Sequence, residues 1–242
     1  MQTVRELIAD GADIQEHHGV SNYTPLHLAV QRSHPDVVQL LLELGADVHA
    51  TTSRGFSCLH LMVLSHPGSK RDDAVIDLLH AHGAQVDVKD ARGRTPVHLS
   101  ADSGWSSIFL LKKFIGFGAD LSVTDNDGNT VLHFAAGRGI ECKYEPEVYL
   151  STRAENRRVV RFVLKHKQGG SYAALCATNR HGKTPECWAH DDKTADVIEA
   201  AIEPARRVAL VAVAMGQHAR LGEGSLIGAL EPDVFRLVAS YL

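Results

Sequence analysis

Strong net charge, paired cysteines and long apolar runs are all missing from this 242-residue chain. Its 25 Lys and Arg against 29 Asp and Glu leave a formal charge of −4, too weak a field to draw it onto nucleic acid or a membrane. Four cysteines without paired spacing make no disulfide framework, which favours a reducing compartment, cytoplasmic or nuclear. No apolar stretch reaches bilayer length, and no charged-then-apolar leader opens the chain. A P-loop, a dinucleotide fingerprint and a paired-carboxylate signature are absent as well, so nothing points to an enzyme or to a bound cofactor. The remainder, 44% hydrophobic and 22% charged, is an ordinary globular composition.

Against that background two phrases recur in phase. The first reads Thr24-Pro25-Leu26-His27, Ser57-Cys58-Leu59-His60, Thr95-Pro96-Val97-His98, Thr130-Val131-Leu132-His133 and, degraded, Thr184-Pro185-Glu186-Cys187. Its first four copies lie 33, 38 and 35 residues apart. The second reads Gly11-Ala12-Asp13, Gly45-Ala46-Asp47, Gly83-Ala84-Gln85 and Gly118-Ala119-Asp120. Such a period signals stacked supersecondary units, none able to bury its apolar face alone. In the unit starting at Asn22, Thr24 is placed to cap a helix and Pro25 to occupy its first position. Leu26, Leu28 and Ala29 follow at helical spacing, and Ser33-His34 turns the chain. Val37, Val38, Leu40, Leu41 and Leu42 build a second helix, which Gly45 stops. Two residues before each motif Thr or Ser sit Asn22, Gly55, Gly93, Gly128 and Gly182, types that tolerate the positive φ of a tight turn. Asp90, Asp125 and Asn179 precede three of these.

The two phrases and their period resemble the ankyrin repeat over roughly residues 1–203. The resemblance implies an all-α ankyrin-repeat solenoid of helix-turn-helix units with short projecting hairpins. It implies a monomeric, non-enzymatic scaffold that binds a protein partner through hairpin tips and the concave face of the first helices. It also implies that His27, His60, His98 and His133 bond the backbone of neighbouring hairpins. Carried over position by position, the tips present Tyr23, Arg54, Phe56, Arg92, Arg94, Asp127, Asn129, His181 and Lys183. The first helices present Gln31, Arg32, Asp102, Ser103 and Arg138. The aromatics gather at the N-terminal end, and arginines follow. This pattern predicts a partner segment with an apolar anchor near Tyr23 and Phe56 and acidic residues beyond. Exposed turns that simply carry polar residues would explain the arginines about as well.

Departures from the repeat predict local differences. The first unit starts within a second helix, Val4-Arg5-Glu6-Leu7-Ile8, so an upstream repeat is expected or its face is left uncapped. The second unit has extra residues at Ser65-His66-Pro67-Gly68-Ser69, the third around Lys112–Phe117, and the fourth between Gly139 and Asn156 and around Gly169–Ala173. Insertions in repeats go to loops on one face. Residues 184–203 read as a degenerate last unit, with Val197-Ile198 in the register of Val37-Val38.

Pro204 ends the pattern and opens a helical C-terminal segment, 204–242. Val208, Leu210, Val211, Val213, Ala214 and Met215 suit a helix buried against the last repeat, a cap of the kind solenoids need. Further on, Leu230, Pro232, Val234, Phe235, Leu237, Val238 and Tyr241 form an amphipathic pattern. It is similar to the opening of an F-box or the end of a SOCS box. That likeness implies an alternative function, a substrate receptor that reaches a cullin-type ubiquitin ligase through an adaptor subunit. Glu231 between Leu230 and Pro232 departs from the F-box pattern.

Histidine is plentiful, 15 in all, so metal binding needs a hearing. Cys176, His181, Cys187 and His190 carry zinc-compatible ligands within a short stretch. The repeat register accounts for them without a metal, because Cys187 fills the histidine slot, His181 sits at a hairpin tip and His190 matches Val30 and Ala101. No metal is expected.

Overall fold

The structure, a computed structural model, describes residues 2–65, 70–102, 107–137, 156–166, 172–189 and 192–203. The insertions at 66–69 and 138–155, together with the whole segment 204–242, lie outside the described residues. So do 103–106, 167–171 and 190–191; outside the described residues therefore fall Ser103, Arg138, His190 and all seven adaptor candidates from Leu230 to Tyr241.

Twelve helices carry the fold among the described residues. They are α1 Gln2–Ala9, α2 Pro25–Gln31, α3 Pro35–Glu43, α4 Cys58–Leu64, α5 Lys70–Ala81, α6 Pro96–Asp102, α7 Ser107–Gly116, α8 Val131–Ala135, α9 over 156–164, α10 Tyr172–Cys176, α11 Pro185–Trp188 and α12 over 192–203. The only β pairings among these residues are isolated bridges, His18 with Tyr23 and Thr124 with Thr130. The fold is therefore an all-α ankyrin solenoid.

Each unit starts where the motif places a cap. Thr24, extended at φ −84° and ψ 164°, accepts the His27 N–H in its side chain, while the His27 ring reaches back to the Thr24 N–H. Ser57 with His60 and Thr130 with His133 repeat the reciprocal box. Histidine thus does the work usually given to Glu or Gln three residues into the helix. Such a cap is worth about 1 kcal/mol, and it fixes where the helix begins. At the other end Ser33, at φ 51°, takes the left-handed turn that separates α2 from α3. Its hydroxyl donates to the Asp72 carboxylate on α5, linking that turn to the next unit.

Packing runs in two layers. The first helices stack in the order α2, α4, α6, α8 and α11, and α2, α4 and α6 lie against the second helices of their own units, α3, α5 and α7. Leu26, Val30, Leu59, Met62, Val97, Ala101, Leu132 and Phe134 fill the seam between them. Small residues such as Ala29, Ala101 and Ala135 let the helices approach. Leu28, apolar at helical spacing with Leu26 and Ala29, is 41% exposed. It lines a groove with Leu7 and Ile8 of α1.

In the third unit α7 has ten residues against nine in α3 and ends 21 residues after Thr95, where α3 ends 19 after Thr24. Its hydrogen bonding closes on Phe117. The fourth unit differs more, since α10 stands between its second helix and the last hairpin. Helix α11 keeps the Thr184 cap but has Cys187 where histidine stands elsewhere, and it is only four residues long.

Candidate functional site

The hairpin tips form a continuous row because the backbone ties each to the next. The Ser53 N–H donates to the Ser21 carbonyl, Ala91 to Arg54, Asn126 to Arg92 and Arg180 to Asp127, at 3.0, 3.0, 3.0 and 2.6 Å. Every rung uses a peptide carbonyl three residues before the motif Thr or Ser. Within a tip, the residue five before the motif closes the turn. Asp90 accepts the N–H groups of Arg92 and Arg94, Asp125 those of Asp127 and Asn129, and Asn179 those of His181 and Lys183, all between 2.8 and 3.0 Å. Thr52 stands in that slot in the second tip and takes only the Phe56 N–H. Gly55, Gly93, Gly128 and Gly182 take φ values of 68 to 76°, with Asn22 at 52°. At Gly93 the need is also spatial, because a Cβ would lie 2.7 Å from the Asn126 nitrogen of the next tip.

The motif histidines strap this row to the helices. Their Nε2 atoms lie 3.0 to 3.1 Å from the carbonyls of Ala50, Arg94, Val123 and Lys183, for His27, His60, His98 and His133 in turn. Each Nδ1 faces a Thr or Ser backbone N–H at 3.1 to 3.2 Å, so Nδ1 accepts and Nε2 carries the proton. Burial holds His98 down to about 4, with Asp125 opposing and Lys89 adding to the fall. His27, His60 and His133 are lowered for the same reason.

These Thr/Ser–His contacts, 2.9 to 3.0 Å from hydroxyl to Nδ1, look like nucleophile–base pairs but cannot act as such. The rings have no exposed surface, and each Nδ1 is already occupied by a backbone donor. They are fasteners. Among the described residues no group of three or more His, Cys, Asp or Glu could hold a metal ion, and His181 instead stacks on Trp188 at 6.0 Å. Nor is any helix there long and apolar enough to cross a membrane.

The candidate contact residues separate into distinct environments. Gln31, Arg32, Arg54, Arg92, His181 and Lys183 are exposed. Tyr23 is half-buried, edge-on to His27 at 6.0 Å, and Phe56 half-buried beside His60 at 5.9 Å. Asp102 is half-buried at the end of α6, and Asp127 pairs with Arg180 at 3.4 Å. Two residues are not outward-facing, contrary to the sequence reading. Asn129 is 3% exposed, donates to Asp125 and accepts from Asn179, so it links tips internally. Arg94 is ion-paired to the buried Asp90 at 2.7 Å, with its side chain only 13% exposed. Burial alone would raise Asp90, but the Arg94 guanidinium and backbone N–H groups hold it below the usual carboxylate range.

Two cavities flank these residues. Arg54, Phe56, Asp90, Ala91, Arg92 and Arg94 line a recess of about 410 Å³ between the second and third tips. The other, about 490 Å³, is an apolar groove bounded by α1, α2 and α3, with Leu7, Ile8, Leu28 and Val37 among its walls. The sequence reading expects an upstream repeat or an uncapped face at this end, without naming the residues that line the groove.

Comparison with known proteins agrees with the repeat geometry. Residues 21–53 match the ankyrin repeat, and residues 59–144 match ankyrin repeats in three copies. The palmitoyltransferase AKR1 of Lachancea kluyveri is 32% identical over 142 residues, 57% of this chain and 18% of that protein. Nuclear factor NF-kappa-B p105 subunit of Gallus gallus is 33% identical over 116 residues, 46% of this chain and 11% of its own length. Protein PhlB of Serratia liquefaciens is 37% identical over 119 residues, 49% of each. The chain thus spans between about a tenth and a half of these relatives.

Proposed function

The chain is an ankyrin repeat protein, and from that premise we propose that it works by protein recognition without catalysis, through its row of hairpin tips. Ankyrin repeats imply a protein partner in general. The observation that carries the finer reading is a division of labour within the tips: backbone groups and the residue five before the motif hold the row together, while Arg54, Arg92, Tyr23 and Phe56 leave surface facing outward. Aromatic and Arg side chains are the types that dominate binding hot spots. A partner segment would anchor an apolar side chain near Tyr23 and Phe56 and lay acidic residues along the arginines. One relative is named as a palmitoyltransferase, but this chain spans 18% of it, and the aligned similarity carries no catalytic reading here. A monomer in the cytoplasm or nucleus fits the free Cys58, Cys176 and Cys187.

Quantitative mass spectrometry of proteins captured by the full chain, and by a Tyr23→Ala/Phe56→Ala variant of unchanged helicity, tests this. Loss of a defined set of proteins is expected, and an unchanged set refutes the tip reading. The ubiquitin-ligase alternative rests on the pattern from Leu230 to Tyr241 alone. Val234→Asp/Phe235→Asp in the full chain should then remove cullin-adaptor subunits from the captured set, and their absence from the wild-type set ends that reading.

A further inference from the structure

Charge is unevenly settled in the recess between the second and third tips. Three arginines and one aspartate line it, and Arg94 with Asp90 forms a closed pair. Arg54 and Arg92 are exposed and have no acidic partner among the described residues. Their backbones cannot drift apart, because the Ala91 N–H is bonded to the Arg54 carbonyl at 3.0 Å. Two positive charges thus project from adjoining rungs in a recess that Phe56 also lines. Their mutual repulsion is relieved by an anion placed between them.

We infer that this recess seats a carboxylate side chain of an acidic peptide lying along the tip row, an inference that rests on the protein-recognition reading above. Guanidinium forks match carboxylates with paired, charge-assisted hydrogen bonds. Phe56 gives the methylene groups of a Glu an apolar floor and displaces water from one side of the ion pair. The surroundings set the direction. Toward the C-terminus the next tip offers Asp127, already paired with Arg180, so the positive zone ends at Arg92. Toward the N-terminus lie uncharged Ser21 and Tyr23. The peptide therefore carries an apolar side chain on the Tyr23 side and its acid over Phe56.

Phosphate fits this recess less well, because phosphate sites draw on several free backbone N–H groups. Here most are spent. Gly55 and Phe56 donate to Thr52, Ala91 to Arg54, Gly93 to the Asp90 carbonyl, and Arg92 and Arg94 to the Asp90 carboxylate. The two side-chain cations are left to meet a ligand, with no cluster of backbone donors beside them.

The test pans a random dodecapeptide phage library on the full chain and measures the leading peptide, labelled with fluorescein, by anisotropy. Enrichment of Asp or Glu next to an aromatic or aliphatic residue is expected. Arg54→Gln/Arg92→Gln in the protein, or Glu→Gln in the peptide, should each weaken binding roughly tenfold to a hundredfold, and together little further. Arg54→Lys/Arg92→Lys should recover part of the loss. Enriched peptides without acids, or peptides indifferent to Arg54→Gln/Arg92→Gln, overturn the carboxylate seat but leave protein recognition standing. Binding made tenfold tighter by phosphoserine in place of Glu assigns the recess to phosphate and overturns it too. A library that yields no binder counts against both.

Discussion

Mild acid should loosen this fold well before its carboxylates titrate. In the folded chain His98 is neutral, with Nδ1 accepting the Thr95 N–H at 3.1 Å and Nε2 donating to the Val123 carbonyl at 3.0 Å. A proton can be added only at Nδ1, where it would oppose the N–H that now points there. Burial therefore holds the ring down to about 4 against 6.5 when free. The unfolded chain binds the proton first between those two values, so the His98 contribution is complete above about pH 6.5 and is lost as pH falls toward 4. At pH 5 the loss amounts to about 2 kcal/mol from this one residue. His27, His60 and His133, lowered by the same burial, push in the same direction. Asp90, lowered as well, adds its loss only in the carboxylate range near pH 4 and below. Asp87, raised by burial, works the other way there. Urea unfolding followed by circular dichroism from pH 7.5 to 5 should show the midpoint falling steadily while the signal of the folded state stays constant. His98→Gln should start less stable at pH 7.5 and show a shallower slope. A midpoint independent of pH over this range, or a His98 ring that titrates near 6.5 by NMR in the folded chain, would refute the reasoning.

Three further outcomes follow from the tips and the core. Gly93→Ala should cost about 1–3 kcal/mol in urea unfolding, because a Cβ there meets the Asn126 nitrogen, whereas Gly182→Ala, with the same positive φ and no atom within 4 Å, should cost about 1 kcal/mol. Equal losses would mean that φ strain alone matters. Arg94→Ala should destabilise by about 1–3 kcal/mol by leaving Asp90 buried without its cation, while Arg92→Ala should stay within about 0.5 kcal/mol; thermal unfolding of both decides. Cys58, buried and raised to about 12, should resist iodoacetamide in the native chain while exposed Cys187 is modified, as read by peptide mass mapping.

Much of this was legible in the order of residues. Thr24, Ser57 and Thr130 announced caps, and the glycines two residues before the motif announced left-handed turns, because both signals are local and set by backbone sterics. The histidine straps followed from the repeat resemblance. What escaped was decided by neighbours distant in sequence. Leu28 shares the helical spacing of Leu26 and Ala29 yet is exposed, on the wall of the groove between α1, α2 and α3. Arg94 and Asn129 hold tip positions like Arg54 and Arg92, yet Asp90 and Asp125 turn them inward. The informative sign was an aspartate five residues before the motif, next to a long polar residue one before it. Thr52 in that slot makes no such demand on Phe56.

The carbonyl rungs have an evolutionary consequence. Each rung belongs to a residue three before the motif, and the bond it makes involves its peptide group alone. Ser21, Arg54, Arg92 and Asp127 place three unlike kinds of side chain on one identical backbone bond. A substitution at these positions changes what the surface says without touching what keeps it in place. Selection can revise the partner here at almost no risk to folding, whereas one position later only Gly or Asn is admitted.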